Sequence, residues 1–366
     1  MKLEFFKGLD MPAVFTLMLI QVIGLIGVFS ATYKGSLSPL FVKQFLYVLY
    51  GWLIILFALR VNFRIVYDLS TAIYMFNLFL LILVPLFGKG VYGAKRWLDI
   101  GPVNLQPSEF MKFSLLLFIT YTLTHTKKAL SKESLIVILS FLMPVFLTLK
   151  QPDLGTSICY SVILASLLFL KGVRLRFFFL SAFFLLLLSP FIWHFLKGYQ
   201  KERILALLDP YSDYSGSGYQ LIQSIIAVGS GGLMGKGFLK GTQSHLLFLP
   251  EKHTDFMFSV IAEEWGFWLS AFLISAYLFL IYRLVSFGKK VYDDAERLFL
   301  GGVASLFIFQ VFVNLMMTMG FMPVVGIPIP FVSYGGSSII TFSLALGVCL
   351  SIIREYKLRK IYFEYG

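Results

Sequence analysis

A chain of 366 residues that is 58% hydrophobic and 14% charged, with a mean hydropathy of +0.83, is not a water-soluble globular protein. Apolar runs near the ~20 residues a spanning helix needs recur along its length, the mark of a polytopic helical membrane protein. The net charge of +12 suits loop lysines and arginines facing anionic lipid, and no basic, aromatic-interleaved soluble module is present to hold a nucleic acid.

Ten spans are predicted, at about 11–30, 41–59, 69–87, 107–125, 134–149, 154–170, 177–196, 256–282, 298–319 and 338–353. The first begins at Met11 and no small-residue cleavage site follows it, so it reads as a retained span and not a signal peptide. The fifth and sixth are short, and Pro144 interrupts the fifth. The fold class expected is all-α: one polytopic membrane domain over residues 1–366, with no internal repeat and a large extracytoplasmic loop, about 197–255, between the seventh and eighth spans. Cys159 and Cys349 fall inside apolar runs and read as small core residues, with no disulfide or metal role.

An even number of spans puts both termini on one side. If that side is cytoplasmic, the inside segments hold Lys2, Lys7, Arg60, Arg64, Lys127, Lys128, Lys132, Lys171, Arg174, Arg176, Arg283, Lys289, Lys290, Arg297, Arg354, Lys357, Arg359 and Lys360, more than half of the basic residues. Lysine and arginine bias in short loops sets orientation, so the chain is expected in the cytoplasmic (inner) membrane with both termini in the cytoplasm and the long loop outside.

Every unusual stretch then falls on the outer face. GAKRWLDIGPVNLQPSEFMK, Gly93 to Lys112, enters the fourth span with Pro107 suited to a first helical turn. Glu109 and Lys112 sit three apart on one helical face: a modest surface pair if wet, the mark of a polar cavity if it lies among helices. QPDLGTS, Gln151 to Ser157, opens the sixth span, where Asp153 either serves the helix dipole or points across the outer cavity. KERILALLDPYSDYSGSGYQ, Lys201 to Gln220, is basic at its start and offers Arg203. The glycines of GSGGLMGKG, Gly229 to Gly237, match neither nucleotide-loop spacing and follow no strand, so close backbone approach or a flexible loop is the reading.

LPEKHTDF, Leu249 to Phe256, leads into the eighth span. Thr254 and Asp255 before an apolar run are ordinary helix caps by position, but Glu251, Lys252 and His253 crowd around them, and Glu263 and Glu264 follow at membrane depth. Two ligand-type residues without a third do not make a metal site. FMPVVGIPIPFVSYGGSS, Phe321 to Ser338, is too rich in proline and glycine for a regular helix and too apolar to leave the membrane, so it must line or cap a cavity, with Ser333 among the lining candidates.

GAKRWLDIG with QPSEFMK, then QPDLGTS, LPEKHTDFMFSVIAEEWG and GIPIPFVSYGGSS together resemble, in family order and over nearly the whole chain, the SEDS (shape, elongation, division and sporulation) proteins. AEEWG and PVVGIP make the chain look like the elongation branch of that family, with the division branch as the alternative. The resemblance implies a peptidoglycan glycosyltransferase that polymerises lipid II on the outer face of the cytoplasmic membrane beside a class B penicillin-binding protein. It places the family's essential aspartate on Asp255 and its polar pair on Glu109 and Lys112.

The chemistry agrees with the residues. A sugar hydroxyl is a weak nucleophile, and a carboxylate acting as general base supplies about 10²–10⁴-fold. Lys112, Arg96, Arg203 and Lys252 are candidates to offset the charge of a departing diphosphate, and a divalent cation is a further candidate. A lipid II flippase and a scaffold for the transpeptidase are the competing readings. Against the flippase stands the outward placement of all the irregular stretches; against the scaffold, the charges crowded around Asp255.

Overall fold

The computed structural model describes residues 7–91, 94–101, 103–126, 132–213, 216–246 and 248–365. Lys2, Gly93, Pro102, Lys127, Lys128, Tyr214 and Ser215, used above, lie outside them. A helix stands at each predicted span: α1 (Met11–Thr32), α2 (Pro39–Ala58), then, after the short α3 (Phe63–Asp68), α4 (Ser70–Phe87), α5 (Pro107–His125), α6 (Lys132–Lys150), α7 (Leu154–Leu170) and α8 (Leu175–Phe195). The connection that follows folds into α9 (Gly198–Leu208), α10 (Ser217–Ser230) and α11 (Thr242–His245), and the chain ends with α12 (Met257–Gly288), α13 (Asp294–Thr318) and α14 (Gly336–Tyr365). Among the described residues seven helices are long and apolar enough to cross a membrane: α1, α2, α4, α8, α12, α13 and α14.

The remaining three differ for physical reasons. Apolar parts of α6 and α7, Leu135–Lys150 and Leu154–Leu170, are shorter. Helix α5 is long enough but polar, because it occupies the middle of the bundle. It packs against α4, α6, α7, α13 and α14, and nearly every residue from Pro107 to Leu123 is buried. A helix shielded from lipid can carry Glu109, Lys112, Ser114 and Thr120, where a lipid-facing one pays heavily for each. The outer helices show the opposite, with Phe76, Phe79, Phe183 and Leu186 exposed. None of the residues of α8 is buried, so no face of it is packed into the bundle.

Two features were not legible as periodicity. A small antiparallel sheet, β1 (Lys89–Val91), β2 (Ala94–Ile100) and β3 (Val103–Leu105), joins α4 to α5, with Leu98 opposite Leu105 and Ile100 opposite Val103. Helix α12 is broken at Gly266, whose φ of 71° is open to glycine at little cost. The glycine-rich loop after α10 fits into that break: Lys236 N donates to Glu263 O at 3.0 Å, Gly237 N to Glu264 O at 2.9 Å, and Phe267 N to Gly232 O at 2.9 Å. A Cβ on Gly231 would lie 1.9 Å from Ala262 O, so this glycine serves close backbone approach.

Two polar clusters brace the bundle. Glu263, fully buried, accepts from Lys236 Nζ (2.8 Å), Thr242 Oγ1 (3.1 Å) and the Gln243 and Ser244 amides (2.9 and 3.1 Å), while Glu264 accepts from Ser30 Oγ (2.5 Å) and lies 3.0 Å from His245 Nε2. Both glutamates therefore hold α11 and the glycine loop to the first half of α12. At the far end of α12, buried Asp10 accepts from Arg283 Nε (2.9 Å) and Lys357 Nζ (2.8 Å), tying α1 to α12 and α14.

Candidate active site

Asp255 sits in the turn just before α12, half-buried, and its backbone is fixed on two sides. Its carbonyl accepts from Asn314 Nδ2 on α13 at 2.8 Å. The preceding turn starts at Glu251, whose φ of 50° is unusual for a residue with a side chain; the Glu251 carbonyl accepts from Thr254 N and its carboxylate from Thr254 Oγ1, each at 3.1 Å. The carboxylate itself faces the loop between α13 and α14. A Cβ added at Gly326 (φ 74°) would lie 3.5 Å from Asp255 Oδ2 and 4.0 Å from Arg203 Nη1.

Arg203 reaches this point from α9, its guanidinium 5.9 Å from the Tyr199 ring. Arg96 comes from β2 and is anchored by backbone carbonyls: Nε donates to Gln151 O at 3.1 Å and Nη2 to Pro152 O. Asp153 follows directly. It caps α7, accepting from Thr156 N (3.2 Å) and Thr156 Oγ1 (2.8 Å), and also accepts from Ser108 Oγ (3.3 Å) and Gln106 Nε2 (3.4 Å). Next to Ser108, Glu109 holds Lys112 Nζ at 2.7 Å, with Lys112 only 1% exposed. So the outer-surface reading of that pair fails: it is an interior ion pair, and a polar band runs from Asp255 through Arg203 and Arg96 to Asp153, Glu109 and Lys112.

The electrostatics of the band favour a poised carboxylate. Burial pushes the Asp255 carboxyl up to about 6; Glu251 adds to the rise, and Arg203 and Arg96 oppose it. Burial likewise pulls the Arg203 guanidinium below its usual value, with Asp255 acting to raise it. Among the described residues no hydrogen bond engages the Asp255 side chain, so its oxygens are free to accept from a substrate.

Three sequence candidates serve elsewhere. Lys252 Nζ donates to Ser244 O, among Lys34, Glu263 and Glu264. His253 contributes its carbonyl, which accepts from Tyr334 N at 2.8 Å, and burial lowers its ring pKa. Ser333 is buried: its Oγ accepts from Ile329 N (3.0 Å) and its carbonyl from Gln44 Nε2 (3.0 Å), which fixes the loop after α13. Sequence reading missed Asn314, Gly326 and Asp10. For Asn314 the signal was present, an amide inside the apolar run VFVNLMM, where a polar side chain needs a buried partner.

As to a metal, no group of three or more His, Cys, Asp or Glu converges among the described residues. Among the described residues Glu251 and Asp153 are carboxylates that act on Asp255 without converging on it as a ligand set, and Arg203 and Arg96 beside them disfavour a further positive charge. These residues do not fit a protein-held cation.

The comparisons with known proteins bear on this arrangement. The sequence matches the FtsW/RodA/SpoVE family, described as cell cycle proteins, over residues 11–358. The chain belongs to that family. It is 41% identical to peptidoglycan glycosyltransferase MrdB of Escherichia coli (strain K12), over 78% of each protein. It is 30% identical to peptidoglycan glycosyltransferase RodA of Treponema pallidum, over 96% of this chain and 99% of that one. Among solved structures, a chain of a peptidoglycan synthase complex that coordinates polymerization and crosslinking superimposes with a TM-score of 0.82 at 35% identity, covering 95% of this chain and 98% of that chain. The rod shape determining protein RodA of Thermus thermophilus superimposes with a TM-score of 0.71 at 29% identity, over 95% and 97%.

Proposed function

We propose that this chain is a peptidoglycan glycosyltransferase of the elongation branch, polymerising lipid II with Asp255 as general base. The observation that carries the reading is the Asp255 carboxylate, engaged by no side chain among the described residues and flanked by two arginines, in a chain 96% of which is matched by a relative named peptidoglycan glycosyltransferase.

In this reading the 4-hydroxyl of the acceptor sugar donates its proton to Asp255 as its oxygen attacks the anomeric carbon of the donor. The bond from that carbon to the diphosphate breaks, and undecaprenyl diphosphate departs with the electron pair. A single displacement inverts the anomeric centre and needs no covalent enzyme intermediate. Arg203 and Arg96 are fixed cations beside the carboxylate, and preorganised charge of this kind offsets the negative charge that builds on the leaving group. A carboxyl near 6 is ionised at neutral pH yet more basic than an ordinary aspartate, which suits proton abstraction. The polyprenyl tail needs an opening to lipid, and the unpacked α8, which leads directly into the helix bearing Arg203, leaves that flank free.

Membrane placement follows from loop charge: both termini on the cytoplasmic side, residues 197–255 and the polar band outside, one membrane domain throughout. A class B penicillin-binding protein is the partner we assign, as one structural relative belongs to a synthase complex that couples polymerization and crosslinking.

The test is to supply purified protein, with its transpeptidase partner, with lipid II and to measure glycan polymer, in parallel with lipid II translocation in liposomes. Polymer supports the proposal; translocation with no polymer assigns a flippase instead.

A further inference from the structure

Asn314 joins two loops that are far apart in sequence. It lies one turn before the end of α13, fully buried, and its Nδ2 donates both to Asp255 O at 2.8 Å and to Ile327 O at 2.7 Å. The first carbonyl belongs to the turn carrying Asp255. The second follows Gly326, the residue whose open face meets the Asp255 carboxylate. One planar amide therefore sets the separation between the carboxylate and the wall it faces.

The helix end that presents Asn314 is itself fixed. Thr318 Oγ1 donates to Asn314 O at 2.9 Å, and Ser224 of α10 donates to Thr318 O at 2.7 Å. On the other side of the loop, Gly155 of α7 packs so closely on Val325 O that a Cβ there would stand 2.8 Å away, which links the same loop to the Asp153 cap. Meanwhile Asn314 Oδ1 is buried with no hydrogen-bond partner among the described residues. An orphaned acceptor costs stability, so this side chain is a poor choice for packing alone; an apolar residue of the same shape would serve better. What only the amide supplies is the pair of donors.

We propose that Asn314 is a positioning residue for glycosyl transfer, holding the Asp255 turn and the Gly326 loop at the spacing in which the carboxylate meets the acceptor hydroxyl. This rests on Asp255 acting as the base. Misplacement of a reacting group by about 1 Å costs on the order of 100-fold in rate, whereas lipid II binding draws on many other contacts.

The experiment measures initial rates of glycan formation against lipid II concentration for full-length wild type, Asn314→Leu, Asn314→Asp and Asp255→Asn, each with its transpeptidase partner and each melted in the same detergent. Both Asn314 variants keep the side chain's size and lose its donors. The expected result is a kcat lower by roughly 10- to 100-fold in both, with KM within about twofold of wild type. A wild-type kcat in Asn314→Leu, or a loss confined to KM, overturns the inference. Should Asn314→Leu fail to fold, Asn314→Asp is read in its place; if neither folds, the residue holds the bundle together and the inference is wrong. Asp255→Asn separates the two claims. If it polymerises normally the base assignment fails, whereas an inert Asp255→Asn beside a normal Asn314→Leu removes only the positioning role.

Discussion

The Asp255 carboxylate and the Arg203 guanidinium both face Gly326, whose missing Cβ would stand 3.5 Å from one and 4.0 Å from the other. A methyl fits that space, but its φ of 74° is strained for any L residue by about 1–2 kcal/mol. Gly326→Ala should therefore lower the melting temperature slightly and keep partial activity. Gly326→Val, which fills the gap between the two charges, should cut kcat by on the order of 100-fold; melting curves and polymerisation rates on the same preparations check both.

The raised Asp255 pKa gives two linked pH effects. Activity should fall on an acid limb with an apparent pKa near 6, because the base must be ionised. Stability runs the other way. The folded protein binds this proton more tightly than the unfolded chain, whose aspartate titrates at 3.8, so the ionised group costs stability progressively as pH rises from about 4 to 6, and fully above. Asp255→Asn should thus be more stable than wild type at pH 7.5, by something of order 1–3 kcal/mol, with the gap closing below pH 4. A thermal-shift series across pH reads the difference directly.

Glu109 and Lys112 form a contact of 2.7 Å in the bundle interior. Removing one partner strands the other charge, which costs about 3–5 kcal/mol, while replacing both with apolar residues can be nearly neutral. Lys112→Met alone should lower the melting point sharply and Glu109→Leu/Lys112→Met should recover much of it. If the double variant recovers stability but not polymerisation, the pair acts on substrate as well as on packing.

At the other end of α12, Asp10 is held by Arg283 and Lys357. Burial raises its pKa, but the hydrogen bonds from Arg283 and Lys357 outweigh that and bring it below 3.8. The stabilisation is therefore present above the unfolded value and lost as pH falls through the folded one. Asp10→Asn should cost on the order of 2–4 kcal/mol of stability, with kcat of the surviving folded protein unchanged, since the cluster sits at the opposite end of α12 from Asp255.

The membrane class, the positions of the long helices and the crowding around Asp255 were legible because they are local: apolar runs of set length, and polar residues where lipid forbids them. What escaped was set by distant contacts. Spacing alone left Glu109 and Lys112 open between a surface pair and the lining of a polar cavity, and only the place of α5 at the centre of the bundle decides it. The strand bearing Arg96, AKRWLDI, shows no alternation of apolar and polar residues, and the break at Gly266 is intelligible only beside the glycine loop that fills it. Lys252 and His253 looked like site residues from proximity in sequence, yet the turn at Glu251 directs them toward Ser244 and Tyr334.

The most direct measurement is the rate at which purified protein with its transpeptidase partner makes glycan from lipid II, compared between wild type and Asp255→Asn at pH 7.5. The account predicts a fall of about 10²–10⁴-fold in a variant that melts no lower than wild type. An Asp255→Asn protein that lengthens strands within a few-fold of the wild-type rate would contradict it.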